Sequence, residues 1–264
     1  MLAVLVPGMI VRHAGRSLAH GRAPVKRRAA RFRVTRRRIG AMIPCSATEA
    51  LAMQEPHLIY FADPMCSWCY GFSPVIEAVR KAFGGGLPVH VIMGGLRPGT
   101  ERPMDEAGKR EVLTHWAHVN EATGLPFEAH AMDREGFVYD TDPGARAVVV
   151  VRRESQELAV SYLARAQSAF YAEGRDLTSG EVLADLAEEF GVERDGFLQQ
   201  WASEEAKQET WRDYAIAQRA GVTAFPTLVG GPNEAGVYGV VTRGYAPADQ
   251  VLGVLKDWIS RIAA

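Results

Sequence analysis

Two cysteines three residues apart, Cys66-Ser67-Trp68-Cys69, sit where an apolar run at 58–62 gives way to a helical pattern at 73–83. This spacing at a strand-to-helix boundary puts both sulfurs on one turn, with the first thiol at the helix N-terminus. The unpaired N–H groups and the positive dipole end there favour a thiolate, and the thiolate is the form that attacks disulfides. Cys66 is therefore the candidate nucleophile and Cys69 the residue that resolves the mixed disulfide. The other use of such a pair is half of a zinc site, which needs two further Cys or His ligands at tetrahedral reach. The remaining cysteine is Cys45, and there is no second CxxC and no His-x3–5-His. No metal and no cofactor is expected.

Flanking residues favour redox chemistry. Pro74 follows Cys69 by five residues, within the helix that carries the motif, and 221–228 (Gly-Val-Thr-Ala-Phe-Pro-Thr-Leu) leads into a later strand. The Phe225-Pro226 bond is the place for a cis peptide facing the cysteines, with the Phe225 backbone open to an extended substrate. Phe225, Pro226, Ser67 and Trp68 are thus the candidate substrate-binding residues.

The sequence resembles the thioredoxin-fold superfamily, and within it the DsbA-like predicted protein-disulfide isomerases close to the FrnE-type proteins. The resemblance rests on Asp63-Pro-Met-Cys-Ser-Trp-Cys-Tyr-Gly-Phe72, Met93-Gly-Gly-Leu-Arg97, His115-Trp116, Tyr139-Asp-Thr141, Ala169-Phe-Tyr171 and Phe225-Pro-Thr227. It implies thiol-disulfide exchange with disulfide-bearing proteins or small thiols, glutathione among them. The motif has neither the histidine of the strongest oxidants nor the Gly-Pro of thioredoxin. A potential between about −120 and about −270 mV, the values of DsbA and thioredoxin, is expected. The family's buried acid, six residues before the first cysteine, is here Tyr60. Kappa-class transferases and chromene-carboxylate isomerases share the inserted helical domain but carry serine at the first motif position, so the Cys66–Cys69 pair weighs against a glutathione-dependent transferase. A third reading is a non-enzymatic adaptor whose CxxC senses redox state or zinc.

Beyond residue 57 the pattern is strand, helix, strand (58–62, 66–83, 89–93), a βαβ unit with parallel strands. About a hundred residues of helical periodicity follow: 104–123, 143–153, 157–173, 179–190 and 194–202, with Asp142 as a cap before Pro143 and Thr178 with Glu181 in capping-box spacing. A helix at 206–220, a hairpin of strands at 227–229 and 237–242, and a closing amphipathic helix at 247–262 complete the pattern. The expected fold is α/β: a thioredoxin-like domain, 57–101 and 206–264, with an all-helical domain, 102–205, inserted.

Charge is unevenly spread. Residues 1–41 hold 11 of the 30 Lys and Arg and no acid; taking 11 from 30 leaves 19 basic residues against 31 acidic ones in the remainder. The acidic remainder argues against nucleic-acid binding. The basic segment, 1–52, lacks a signal-peptide h-region and reads as a disordered arm or as sequence upstream of a start at Met42 or Met53. No apolar run approaches a membrane span, so a cytoplasmic protein is expected, where a CxxC is catalytic or metal-binding rather than structural.

Four further candidates each have a plain structural reading. Asp63 can carry a proton for Cys69 or cap the turn before Pro64. His115 and Trp116 either lean from the first inserted helix into the cysteine cleft or belong to the helical core. Arg97 either binds an anionic group such as a glutathione carboxylate or is a solvated loop residue.

Overall fold

The computed structural model describes residues 55–233 and 236–262; the expected arm at 1–52, with Cys45, lies outside them. Four strands form one mixed sheet in the order β2-β1-β3-β4. β1 (His57–Ala62) and β2 (Val89–Met93) are parallel, with Leu58 opposite Val89, and α1 (Ser67–Phe83) crosses between them. β3 (Thr227–Gly231) lies antiparallel to β1 on its other side and turns back into β4 (Gly239–Arg243). β1 is buried on both faces, as its unbroken apolar run requires.

Between β2 and β3 the chain is helical: α2 (Glu106–Thr123), α3 (Asp142–Arg152), α4 (Gln156–Tyr171), α5 (Gly180–Glu188), α6 (Arg194–Ala202) and α7 (Glu204–Arg219). Starts are set by side chains that take up free N–H groups: Asp105 accepts from Gly108, Ser155 from Leu158 and Ser203 from Ala206. α2 stops at Gly124, which adopts φ +72°, a left-handed conformation costly for other residues. Two cap assignments need correction. α3 is preceded by Thr141, whose side chain makes no cap bond, and Asp142 is the first helical residue, its carboxylate bonded to Arg146 and to the Tyr214 hydroxyl. α5 is capped by Ser179 rather than Thr178, and Glu181 pairs with Arg194 instead of closing a capping box. In each case a second residue of a capping type sits one step away in sequence.

Val148, Val149, Val150 and Val151 of α3 are all buried, so this helix is a core element despite its β-branched run. The closing helix α8 (Ala248–Ile262) buries Val251 and Leu255 and packs Trp258 and Ile259 against the same core. The outer edge of β2 is met by helical side chains. Val91 N–H donates to Gln156 Oε1 (3.0 Å), the Val91 carbonyl accepts from Arg152 (3.0 Å), and Met93 N–H donates to Asp213 Oδ2 (2.9 Å). Arg152 in turn grips Asp213 at 2.6 Å.

Candidate functional site

Cys66 is the residue that caps α1. Its backbone is extended, and its sulfur accepts the Cys69 N–H at 3.4 Å, so the thiol stands on the helix axis. The Cys66 thiol also faces the Phe225 carbonyl at 3.8 Å, and the peptide bond after Phe225 is cis. Two segments 159 residues apart in sequence thus meet at one sulfur. Cys66 retains slight exposure, 6%, whereas Cys69 has none, and both are free thiols. Burial pushes the Cys69 thiol well above the ordinary range, and the neighbouring Cys66 sulfur adds to the effect.

Ser67 and Trp68 are half-buried on the same turn, and the Trp68 ring lies 5.6 Å from that of Tyr245. The half-buried Phe225 ring rests directly on Gly94: a Cβ at Gly94 would fall 2.1 to 2.8 Å from three Phe225 ring carbons. A glycine is needed there for close approach of ring to backbone. Pro226 is buried.

Asp63 is fully buried and ties the motif to the next loop. One carboxylate oxygen accepts Met65 N–H at 2.9 Å, the other accepts Leu96 N–H at 2.8 Å, and its carbonyl accepts Cys66 N–H at 3.2 Å. Burial raises its pKa to about 6, partly opposed by the two backbone N–H bonds. The 95–100 loop is held from the far side as well: Arg97 N–H donates to Thr141 Oγ1 (3.1 Å), and the Arg97 guanidinium lies 5.4 Å from the Tyr139 ring centroid.

His115 is half-buried, with its ring 6.4 Å from that of His118, and Trp116 is buried in an aromatic cluster with Phe127, Phe170 and Tyr171. No hydrogen bond joins either residue to the cysteines, and the Trp116 side chain belongs to the helical core rather than to an open cleft.

Four further side chains lie near the motif. The Tyr60 hydroxyl reaches the Cys69 carbonyl (3.4 Å), and the Gln167 amide holds the Asp63 carbonyl (3.3 Å). The Tyr139 hydroxyl donates to the Met65 carbonyl (2.8 Å) and meets the Tyr171 hydroxyl at 3.3 Å. Tyr139 and Tyr171 lie in segments that carried the family resemblance, which was the available signal; Gln167 carried none.

Among the described residues no group of three or more His, Cys, Asp or Glu could hold a metal ion, and no helix is long and apolar enough to cross a membrane.

Comparison with known proteins agrees with this architecture. An inferred protein disulfide isomerase from Nitrosomonas europaea is 35% identical in its crystal structure, with a TM-score of 0.72 over 79% of this chain and 99% of that one. The cytosolic disulfide reductase DsbM from Pseudomonas aeruginosa is 27% identical, with a TM-score of 0.61 over 78% and 97%, and has a second structure with GSH that matches at 0.60. A relative known by sequence, the ClpXP adapter protein SpxH of Halalkalibacterium halodurans, is 21% identical over 211 residues, 78% of this chain and 69% of SpxH. The fold is that of a thiol-disulfide oxidoreductase. Residues 57–242, from β1 into β4, match the model of the DSBA-like thioredoxin domain, and by that match the chain belongs to this family.

Proposed function

We propose that the chain is a thiol-disulfide oxidoreductase in which Cys66 attacks a substrate disulfide and Cys69 resolves the product. The observation that carries this reading is the placement of the Cys66 sulfur, on the first turn of α1 and beside the Phe225 carbonyl. Attack by the Cys66 thiolate forms a mixed disulfide and expels one substrate sulfur as thiolate. Attack by Cys69 on the Cys66 sulfur then forms the Cys66–Cys69 disulfide and expels the second, so the substrate gains two electrons and the protein loses two. The reverse sequence oxidises a dithiol. The Phe225 backbone pairs with an extended substrate segment, and Ser67, Trp68 and Pro226 frame the approach. Asp63 acts as a tether between the motif and the Leu96 loop, since two backbone N–H groups already occupy its carboxylate. Substrates are protein or low-molecular-weight disulfides; the DsbM structure with GSH supports glutathione as the small thiol. The cytosolic location of DsbM supports the cytoplasm as the compartment.

A second reading, a partner-binding adaptor, is favoured by the SpxH relatives. One experiment separates the two: titrate thiols and bound metal in the reduced chain, then assay insulin reduction with glutathione as donor. The oxidoreductase loses two thiols on oxidation and accelerates insulin precipitation; Cys66→Ser abolishes turnover, and Cys69→Ser accumulates mixed disulfides. Full turnover in Cys66→Ser would overturn the mechanism, and absence of turnover in the unaltered chain would favour the adaptor.

A further inference from the structure

Among the described residues three large apolar side chains are exposed, and two of them, Leu96 at 40% and Trp211 at 55%, adjoin one buried ring. The Trp211 ring meets that of Tyr214 edge-on, with 5.4 Å between centroids. Tyr214 in turn presses on the backbone of Gly95, the residue before Leu96: a Cβ there would fall 2.9 Å from two carbons of the ring. Gly94 makes the same kind of contact with Phe225. The Gly94-Gly95 backbone therefore joins two rings, and it continues an apolar strip from Phe225, beside the Cys66 sulfur, to Leu96 and Trp211. Single exposed apolar residues are ordinary, whereas a strip continuous with a reactive sulfur is placed to hold what that sulfur attacks. Its rim is basic. The Arg97 guanidinium lies over the Tyr139 ring and Arg212 Nε–H donates to the Gln208 carbonyl, so among the described residues neither charge is paired with a carboxylate.

We propose that Leu96 and Trp211 select the polypeptide substrates of the Cys66–Cys69 pair, by seating a large apolar side chain of an extended segment whose backbone lies against Phe225. The inference rests on the dithiol reading above and adds the class of disulfide preferred: a protein segment with an aromatic or long aliphatic residue near its cysteine, and with acidic rather than basic neighbours to meet Arg97 and Arg212. An extended chain advances about 3.3 Å per residue, so a residue about three to five positions from the cysteine stands ~10–17 Å away along the strip. A small disulfide ends before that point and gains nothing from either side chain. The bond from Leu96 N–H to the buried Asp63 carboxylate fixes the strip relative to the motif, so the seat and the sulfur keep one spacing. Both side chains touch the substrate away from the reacting atoms and hold it equally before and during attack. Their effect therefore falls on KM and leaves kcat alone.

The test uses the full chain, with glutathione as donor, and measures kcat and KM for the reduction of three substrates. Two are peptide disulfides that differ in carrying Phe or Ser at the third, fourth or fifth position from the cysteine, and the third is bis(2-hydroxyethyl) disulfide. The parent should favour a Phe peptide through KM. Trp211→Gln should raise that KM by about 5- to 30-fold and erase the preference over Ser, and Leu96→Ser should do the same by about 2- to 5-fold. Both side chains are exposed, so neither change opens a cavity in the core. Reduction of the hydroxyethyl disulfide should be unchanged in both variants. A Phe-to-Ser ratio equal to that of the parent in both variants would overturn the proposal. So would a shift from dimer to monomer on sedimentation of Trp211→Gln with the ratio unaltered, since the patch would then be a contact between two copies. Failure of the parent to reduce even the hydroxyethyl disulfide would overturn the dithiol reading, and this inference with it.

Discussion

Asp63→Asn isolates the cost of a buried charge. The Asp63 carboxyl is fully buried, and its pKa rises from the ordinary 3.8 to about 6, burial outweighing the two N–H bonds that favour the anion. The folded state thus holds its proton more tightly than the unfolded state by about 3 kcal/mol, at ~1.4 kcal/mol per pH unit. Because the folded pKa is the higher, the native protein binds the proton first on acidification. Stability from this group is fully present below about pH 4 and is lost as pH rises through about 6, so the whole penalty is carried at neutral pH. Asparagine does not titrate, but it offers one acceptor where Met65 and Leu96 present two donors. The unsatisfied N–H should cost ~1–3 kcal/mol and largely cancel the relief from charge burial above about pH 7. Urea unfolding of both proteins between about pH 4.5 and 8 should show near-equal stability at the alkaline end. The native chain should gain on the variant by about 2 kcal/mol toward acid, other titrations cancelling in the difference. A difference that is flat with pH, or that grows toward alkali, would refute this account of Asp63.

Gly94→Ala would place a methyl group inside the Phe225 ring, which must swing away from the loop beside Cys66. A loss of ~1–3 kcal/mol and slower insulin reduction are expected, and an unchanged melting temperature with unchanged turnover would contradict the packing. Arg152→Ala strands the buried Asp213 carboxylate and the Val91 carbonyl. Urea unfolding should show a loss of ~3–5 kcal/mol, and a loss below ~1 kcal/mol would show that the pair adds little. Arg152→Lys should recover part of it, lacking the fork that reaches both partners.

Much of the architecture was legible because its signals are local. The 57–62 run is apolar at consecutive positions, as a strand buried on both faces must be, and glycines such as Gly124 end the helices where the periodicity stops. The cysteine turn was legible for the same reason: a three-residue spacing at a strand-to-helix boundary leaves few geometries. The caps of α3 and α5 were misplaced by a residue because Thr141-Asp142 and Thr178-Ser179 each set two residues of capping type side by side. What surrounds the sulfurs was less legible. Tyr139 and Gln167 reach the motif across 74 and 104 residues, and no spacing encodes such convergence. The pattern of α2 indicated that Trp116 could sit on a buried face, but not that the rings of Phe127, Phe170 and Tyr171 would enclose it.

The helices between β2 and β3 look like a cassette that could be cut out and the ends rejoined, yet the edge of β2 argues otherwise. Gln156, Arg152 and Asp213 stand where the next strand of a wider sheet would be, occupying two N–H groups and a carbonyl that would otherwise face outward in a row. Excising the segment would leave a bare strand edge able to pair with the same edge of another molecule. A shortened chain of this kind should therefore tend to polymerise through β2 even if its remaining core held together, and an engineer wishing to graft a different cap onto this scaffold would have to supply three polar groups at matching heights along the strand.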